Sequence, residues 1–175
     1  TVIQHLQANG VMAVAKHFPG IGGTTLDSHM DRPFFDISYE ALSHVDLLPF
    51  RSAISHHVAG IMLSHIVYPK LDDTWPASLS PAIVNSLLRE KMGYTGVIMT
   101  DDLDMGAIKK YIDIETAMDQ VLAAQVDQAL ICHKGPDIER ARNRLLMRIS
   151  AGGIVREKTM GSVERILSLK HRWIG

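Results

Sequence analysis

Residues 11–29 of this 175-residue chain read VMAVAKHFPGIGGTTLDSH, a short apolar run followed by a dense polar loop. The first five residues have the length and composition of a strand buried on both faces. Lys16 and His17 come directly after that run, and Asp27 lies two positions before His29. Because active sites of α/β proteins form at the carboxyl ends of parallel strands, we expect this loop to carry chemistry.

The same succession of apolar run, polar loop and helical pattern occurs four times along the chain. The crossovers are tens of residues long and contain helices, so we expect parallel strands rather than hairpins. The predicted strands are residues 11–15, 60–64, 96–100 and 127–132.

Helical patterns follow the loops, and a last amphipathic segment is expected to pack across the fold. Pro49 should kink or divide the first helix, and Ser80-Pro81 should open the second, which ends before Gly93. The predicted helical segments are 38–55, 80–92, 113–124, 136–150 and 157–173.

Repeated βα units indicate an α/β fold of the TIM type, the (β/α)8 barrel. A closed barrel needs about 250 residues and eight strands, so this chain holds about half of one. An open four-stranded sheet is the alternative, with two unpaired edges and one face short of cover. We find no linker or second domain, so residues 1–175 are interpreted as one partial domain.

Composition limits the class of partner. Hydrophobic residues make up 46% and charged residues 21%, which is ordinary for a globular domain, and the net charge is -1. Nucleic acid and anionic membranes are therefore not expected partners, and a small, largely uncharged substrate is. The single cysteine, Cys132, is predicted to be a buried strand residue. It fits a reducing, cytoplasmic compartment, with export as the alternative because the chain begins at Thr1 and an upstream signal is open.

Three acids follow the third predicted strand, at Asp101, Asp102 and Asp104. Carboxylates are costly to hold near a core unless ionised groups are needed there, so one of them is a candidate nucleophile or charge stabiliser. The alternative is that Asp102 or Asp104 caps a helix beginning near Met105. Both roles are compatible if Asp101 is the reactive group.

The histidines and their polar neighbours allow two interpretations each. Asp27 can orient His29 for proton transfer near neutral pH, or both can belong to an ordinary loop turn. Lys16 and His17 can donate hydrogen bonds to a carbonyl or to sugar hydroxyls, or simply be exposed at a strand end. No spacing among these residues and His65 matches a metal motif, and the glycines do not form a phosphate cradle, so neither metal nor cofactor is expected.

These residues resemble the glycoside hydrolase family 3 β-N-acetylhexosaminidases over nearly the whole chain. The Asp-Ser-His loop is the most specific of the matches. In order, the matching segments are AKHFPG at 15–20, DSH at 27–29, LLPFR at 47–51, GIM at 60–62, SHI at 64–66, YP at 68–69, PASLSP at 76–81, LLRE at 87–90 and residues 93–108 with DDLDMGAI.

The resemblance implies a retaining hydrolase that releases terminal β-linked N-acetylglucosamine, typically from peptidoglycan fragments such as muropeptides. Asp101 matches the family nucleophile, and His29 matches the acid/base with Asp27 as its dyad partner. Lys16 and His17 match residues that hold the sugar, and we expect His65 to bind substrate as well. A β-glucosidase-like activity within the same family is the alternative.

The chain departs from the family pattern in two respects. Ile21 and Gly23 stand where members commonly carry polar residues. The match begins at the fifth barrel strand, so strands one to four are not in this sequence. A missing amino-terminal half, or a sugar-binding half-barrel that pairs with a second copy, is therefore expected to complete the fold.

Overall fold

The computed structural model describes residues 1–24 and 32–174, and within them four strands alternate with helices. The strands are β1 (Val14–Phe18), β2 (Gly60–Leu63), β3 (Val97–Asp102) and β4 (Gln128–Leu130). The helices are α1 (Val2–Ala8), α2 (Tyr39–His44), α3 (Leu48–Ser55), α4 (Ala82–Lys91), α5 (Gly106–Lys109), α6 (Ile114–Ala123), α7 (Pro136–Ser150) and α8 (Gly153–Ile174), and a 3₁₀ turn spans Ala77–Leu79. In these residues, no helix combines the length and the apolar character needed to cross a membrane.

The strands form one parallel sheet in the order β1-β2-β3-β4. Each strand therefore lies beside the next one in the chain, with helices in the connections. This confirms the predicted α/β architecture of repeated βα units. Within the described residues, β1 and β4 each pair on one side only, as expected for part of a barrel.

The two faces of the sheet differ in their cover. Ile61, Leu63 and Ile98 are fully buried, whereas Met62 and Met99 on the opposite face are only half-buried. Val14, on that more open face, is 42% exposed. The expectation that the first strand is buried on both faces is therefore wrong, because the face that carries Val14 is the less covered one.

The first strand also begins three residues later than predicted. Its pairing runs from Val14 opposite Gly60 to Phe18 opposite Leu63, so Lys16 and His17 lie within the strand rather than after it. The buried ring of Phe18 packs edge-on against Phe50 of α3, with centroids 5.1 Å apart. The strand therefore continues past Lys16 and His17, the polar residues at which the predicted strand ended, as far as the buried Phe18.

The last strand is shorter than predicted. It ends at Leu130, so Cys132 lies beyond it and is exposed. The prediction of a buried strand position for Cys132 is wrong for that reason.

Most helices follow the sequence signals. Pro49 divides the first predicted helix into α2 and α3, and occupies the first turn of α3, where no backbone donor is lost. The hydroxyl of Ser80 accepts from Ile83 N at 3.1 Å, and Asp113 caps α6. The bounds of α7 match the prediction, whereas α8 begins at Gly153 rather than at residue 157.

One buried carboxylate ties the sheet to its helices. The side chain of Asp127, just before β4, is fully buried and accepts from Arg89 Nη2 at 2.7 Å and from Ile98 N at 2.8 Å. Its other oxygen accepts from Arg165 Nε and Nη2 at 2.9 and 2.8 Å. The group therefore joins α4, β3, β4 and α8, and its desolvation is compensated by four donated hydrogen bonds.

Replacing Asp127 with Asn should lower the free energy of unfolding by about 3 kcal/mol, because two guanidinium groups lose their buried counter-charge. Urea denaturation followed by circular dichroism measures the change. Asp73→Asn, at an exposed turn, is the matched control and should stay within about 0.5 kcal/mol of the parent. Equal unfolding midpoints for Asp127→Asn and the parent would contradict this account.

Candidate active site

Parallel pairing brings the predicted polar residues to one edge of the sheet. Lys16 and His17 lie in the carboxyl half of β1, His65 follows β2, and Asp101 is near the end of β3. The carboxyl ends of parallel strands share an edge, so residues far apart in the chain become neighbours there. The structure thus places four of the six predicted site residues at this edge.

Asp101 and His17 form the most direct contact of the site. His17 Nε2 lies 3.4 Å from Asp101 Oδ2, and the two side chains are 22% and 24% exposed, respectively. The other carboxylate oxygen, Oδ1, accepts from Asp102 N at 2.8 Å. The carboxylate is therefore oriented by a backbone amide and still open to an approaching molecule.

Asp101 lies at an irregularity of β3. The register between β3 and β4 shifts between Met99 and Asp102, and the Asp101 carboxylate belongs to this segment.

His65 lies between these strands and is almost fully buried, with 1% exposure. Its Nε2 is 2.9 Å from Asp102 O, and its Nδ1 is 2.7 Å from Ser78 Oγ. Burial lowers the pKa of His65 by disfavouring the cation, against the opposing effects of the Asp102 carbonyl and of the Asp101 and Asp102 carboxylates. Both ring nitrogens have protein partners, so a direct contact of His65 with substrate stays a prediction.

Asp102 and Asp104 do not cap α5, which begins at Gly106 after the N-cap residue Met105 and has no side-chain cap. The capping interpretation is therefore wrong. Asp102 Oδ1 accepts from Asp104 N at 3.1 Å and from Cys132 N at 3.0 Å. Asp104 accepts from His133 N at 3.3 Å. These carboxylates instead tie the loop after β3 to the segment after β4.

Lys109 supplies the counter-charge on the far side of this loop. Its ammonium donates to Asp104 Oδ1 at 2.7 Å, and this hydrogen bond holds the pKa of Asp104 below its usual value. Asp104 is therefore a structural carboxylate, in contrast to Asp101.

The sequence predicts no metal site, and the structure brings together a group of side chains with metal-ligand chemistry. In the described part of the chain, Asp102, Asp104 and His133 each offer a ligand atom within 4.8 Å of the others. His17 and His65 do not belong to this group. The two carboxylates already accept hydrogen bonds from backbone amides, and Asp104 also from Lys109, so this cluster serves the connection between the two loops.

Asp27 and His29 lie outside the described residues. The chain on both sides of them is anchored at one place, the Val67-Tyr68 segment that follows β2. The anchoring hydrogen bonds are Tyr68 Oη to Gly20 O, Val67 N to Pro33 O (3.0 Å) and Phe35 N to Val67 O (2.9 Å). The ends of the predicted acid/base loop are thus attached at the sheet edge that carries Asp101.

The two departures from the family pattern have different surroundings. A Cβ at Gly23 would overlap the ring of Phe35, so the aromatic side chain fills the space that a polar residue would need. Ile21 is 45% exposed and borders, with Lys16 and His17, a cavity of about 500 Å³ beside β1. Gly23 is therefore explained by packing, and Ile21 adds an apolar wall near the site.

Sequence reasoning missed the partners of His65. Ser78 and Asp102 are 13 and 37 residues away from it, and no local spacing indicates either contact. The register between β2 and β3 is the signal that leads from His65 to Asp102, and it appears only once the strands are paired.

Comparison with known proteins agrees with this arrangement. Residues 1–169 match the model of the glycosyl hydrolase family 3 N-terminal domain. A beta-hexosaminidase of Nitrosomonas eutropha is 33% identical over 164 residues, which cover 94% of this chain and 47% of the relative. The chain spans about half the length of the curated relatives it matches.

Solved structures give the same result. A glycoside hydrolase family 3 beta-N-acetylglucosaminidase from Paenibacillus sp. str. FPU-7 superposes with a TM-score of 0.94 at 36% identity, over 98% of this chain and 33% of that one. LpqI of M. tuberculosis superposes with a TM-score of 0.85 at 34% identity, over 95% of this chain and 50% of that one. The parallel half-barrel and its family model lead to one conclusion: the chain belongs to glycosyl hydrolase family 3, as part of its TIM-barrel-type N-terminal domain.

Proposed function

We propose that this protein is a retaining β-N-acetylglucosaminidase that releases terminal β-linked N-acetylglucosamine. The observation that carries the proposal is Asp101, a partly exposed carboxylate at the carboxyl end of β3, oriented by a backbone amide and flanked by His17. The relatives named beta-hexosaminidase and beta-N-acetylglucosaminidase support the reaction class.

In the first step, Asp101 attacks the anomeric carbon and forms a carboxylate ester with the sugar. The glycosidic bond breaks as His29 donates a proton to the departing oxygen, and Asp27 stabilises the histidine in its dyad. The protonated imidazolium that donates becomes a neutral imidazole, so His29 at no stage places a second anion beside Asp101, and the nucleophile stays ionised more easily.

In the second step, His29 removes a proton from water, which attacks the anomeric carbon and releases Asp101. Two displacements at one carbon return the original β configuration. His17, in contact with Asp101, and the preceding Lys16 of β1 hold the sugar hydroxyls during both steps.

We further propose peptidoglycan fragments as the natural substrates and the cytoplasm as the compartment. The net charge of -1 suits a small sugar ligand rather than a polyanion. The exposed free thiol of Cys132 suits a reducing environment.

Asp101→Asn should lower kcat/KM for an aryl β-N-acetylglucosaminide by about a thousandfold, because the amide cannot form the ester. The assay is release of the aryl alcohol by the polypeptide as encoded, with whatever segment precedes Thr1. Asp73→Asn, away from the site, is the matched control and should keep parental turnover. Turnover within tenfold of the parent in Asp101→Asn would reject the nucleophile.

The sugar preference is a separate prediction. We expect kcat/KM for the aryl N-acetylglucosaminide to exceed that for the matched aryl glucoside by about a hundredfold, since a site that binds the acetamido group loses contacts with glucose. Equal or faster hydrolysis of the glucoside would favour the β-glucosidase-like alternative.

The free edge of β1 favours a second candidate, a sugar-binding half-barrel that self-associates. Val11 and Met12, which precede β1, and Val14, its first residue, are exposed apolar side chains. Sedimentation equilibrium and titration with N-acetylglucosamine distinguish the two candidates. Sugar binding by a dimer without turnover supports the second, whereas a monomer without sugar affinity contradicts it.

A further inference from the structure

His65 lies beyond the last residues of β2 that pair with β3. Paired residues are Gly60 with Val97 and Met62 with Met99, so partner numbers differ by 37 throughout. Continued in the same register, residue 65 lies opposite Asp102. β2, however, ends at Leu63, while β3 continues to Asp102.

The backbone after β2 does not make the missing bond. Ser64 N donates to Phe18 O at 2.9 Å, and Ser64 O accepts from Ser78 N at 2.9 Å. The imidazole of His65 reaches Asp102 O instead, at 2.9 Å. A side chain therefore supplies the hydrogen bond that a strand backbone would otherwise make.

The partners of His65 define its proton positions. A carbonyl oxygen only accepts, so Nε2 carries the hydrogen that bonds Asp102 O. In the neutral ring Nδ1 is then an acceptor for the Ser78 hydroxyl, 2.7 Å away. Ser78 is fully buried, and its turn is attached to the segment after β2 through Ala77 N to Ile66 O at 2.9 Å.

The bond from His65 acts on the residue next to Asp101. The Asp102–Leu103 peptide is held on both sides, at its carbonyl by His65 and at its amide by Leu130 O, 2.9 Å from Leu103 N. Asp102 N in turn donates to Asp101 Oδ1 at 2.8 Å. Movement of Asp102 would therefore misdirect the carboxylate of Asp101.

We propose that His65 is a positioning residue for Asp101, acting through Asp102 with its tautomer set by Ser78. The role rests on the proposed function, in which Asp101 is the nucleophile. On this proposal His65 acts by positioning Asp101 and not by contacting the sugar.

A matched pair of substitutions tests the bond. His65→Gln keeps an N–H donor at about the reach of Nε2, whereas the shorter amide of His65→Asn does not reach Asp102 O. We expect His65→Asn to lower kcat for the aryl N-acetylglucosaminide by about tenfold to a hundredfold, with KM within about threefold of the parent. His65→Gln should recover kcat to within about fivefold of the parent. Ser78→Ala removes the hydroxyl that contacts Nδ1 of the His65 ring. This variant should also lower kcat, as His65→Asn does.

Raised KM with unchanged kcat in both His65 variants would overturn the proposal, because it would indicate a direct sugar contact. A His65→Gln variant no better than His65→Asn would overturn it as well. Thermal unfolding checks that each variant folds.

Nitrogen-15 NMR of the unsubstituted protein gives a test that needs no activity. The expected spectrum at pH 7 shows a neutral His65 ring protonated at Nε2, and a ring protonated at Nδ1 or at both nitrogens would contradict the proposed bond. If the parent hydrolyses no N-acetylglucosaminide, the proposed function fails while the NMR result still decides whether His65 donates to Asp102.

Discussion

The parallel register of β1, β2 and β3 is the constraint on which the site depends. It places His17, near the end of β1, within 3.4 Å of Asp101, near the end of β3, although neither strand pairs with the other. It also brings His65, just after β2, within hydrogen-bond distance of the Asp102 carbonyl of β3. A different register of these strands would separate His17 from Asp101 and His65 from Asp102, and so abolish both contacts. The catalytic arrangement is therefore a consequence of strand pairing more than of any local motif.

Much of the fold is predictable from the sequence because its signals are local. The apolar runs and long crossovers indicate parallel βα units, Pro49 separates two helices, and Asp113 begins another. The first strand is misplaced by three residues because Phe18 lies beyond a polar pair, and its burial against Phe50 depends on a helix that packs from elsewhere in the chain. Cys132 is misassigned because nothing in its neighbourhood shows that β4 stops at Leu130.

The candidate site is predictable to the level of residue type and sheet edge. His17 and Asp101 follow or end apolar runs, so their convergence follows from parallel pairing. The network behind Asp101 is not predictable in this way, since it joins segments through contacts such as Asp102 to Cys132 N and His65 to Ser78. The two carboxylates after Asp101 look alike in sequence, yet their backbone partners make them structural and leave Asp101 open.

Covalent labelling tests the central claim most directly, namely that the sheet presents Asp101 as the reacting group. An N-acetylglucosaminide with a good leaving group and a ring fluorine that slows the second step should accumulate as a glycosyl ester. Peptide mass spectrometry after proteolysis is expected to find one sugar mass on Asp101, in the peptide that carries the DDLDMGAI sequence. A sugar attached to any other residue, or turnover of this substrate with the label absent from Asp101, would contradict the account.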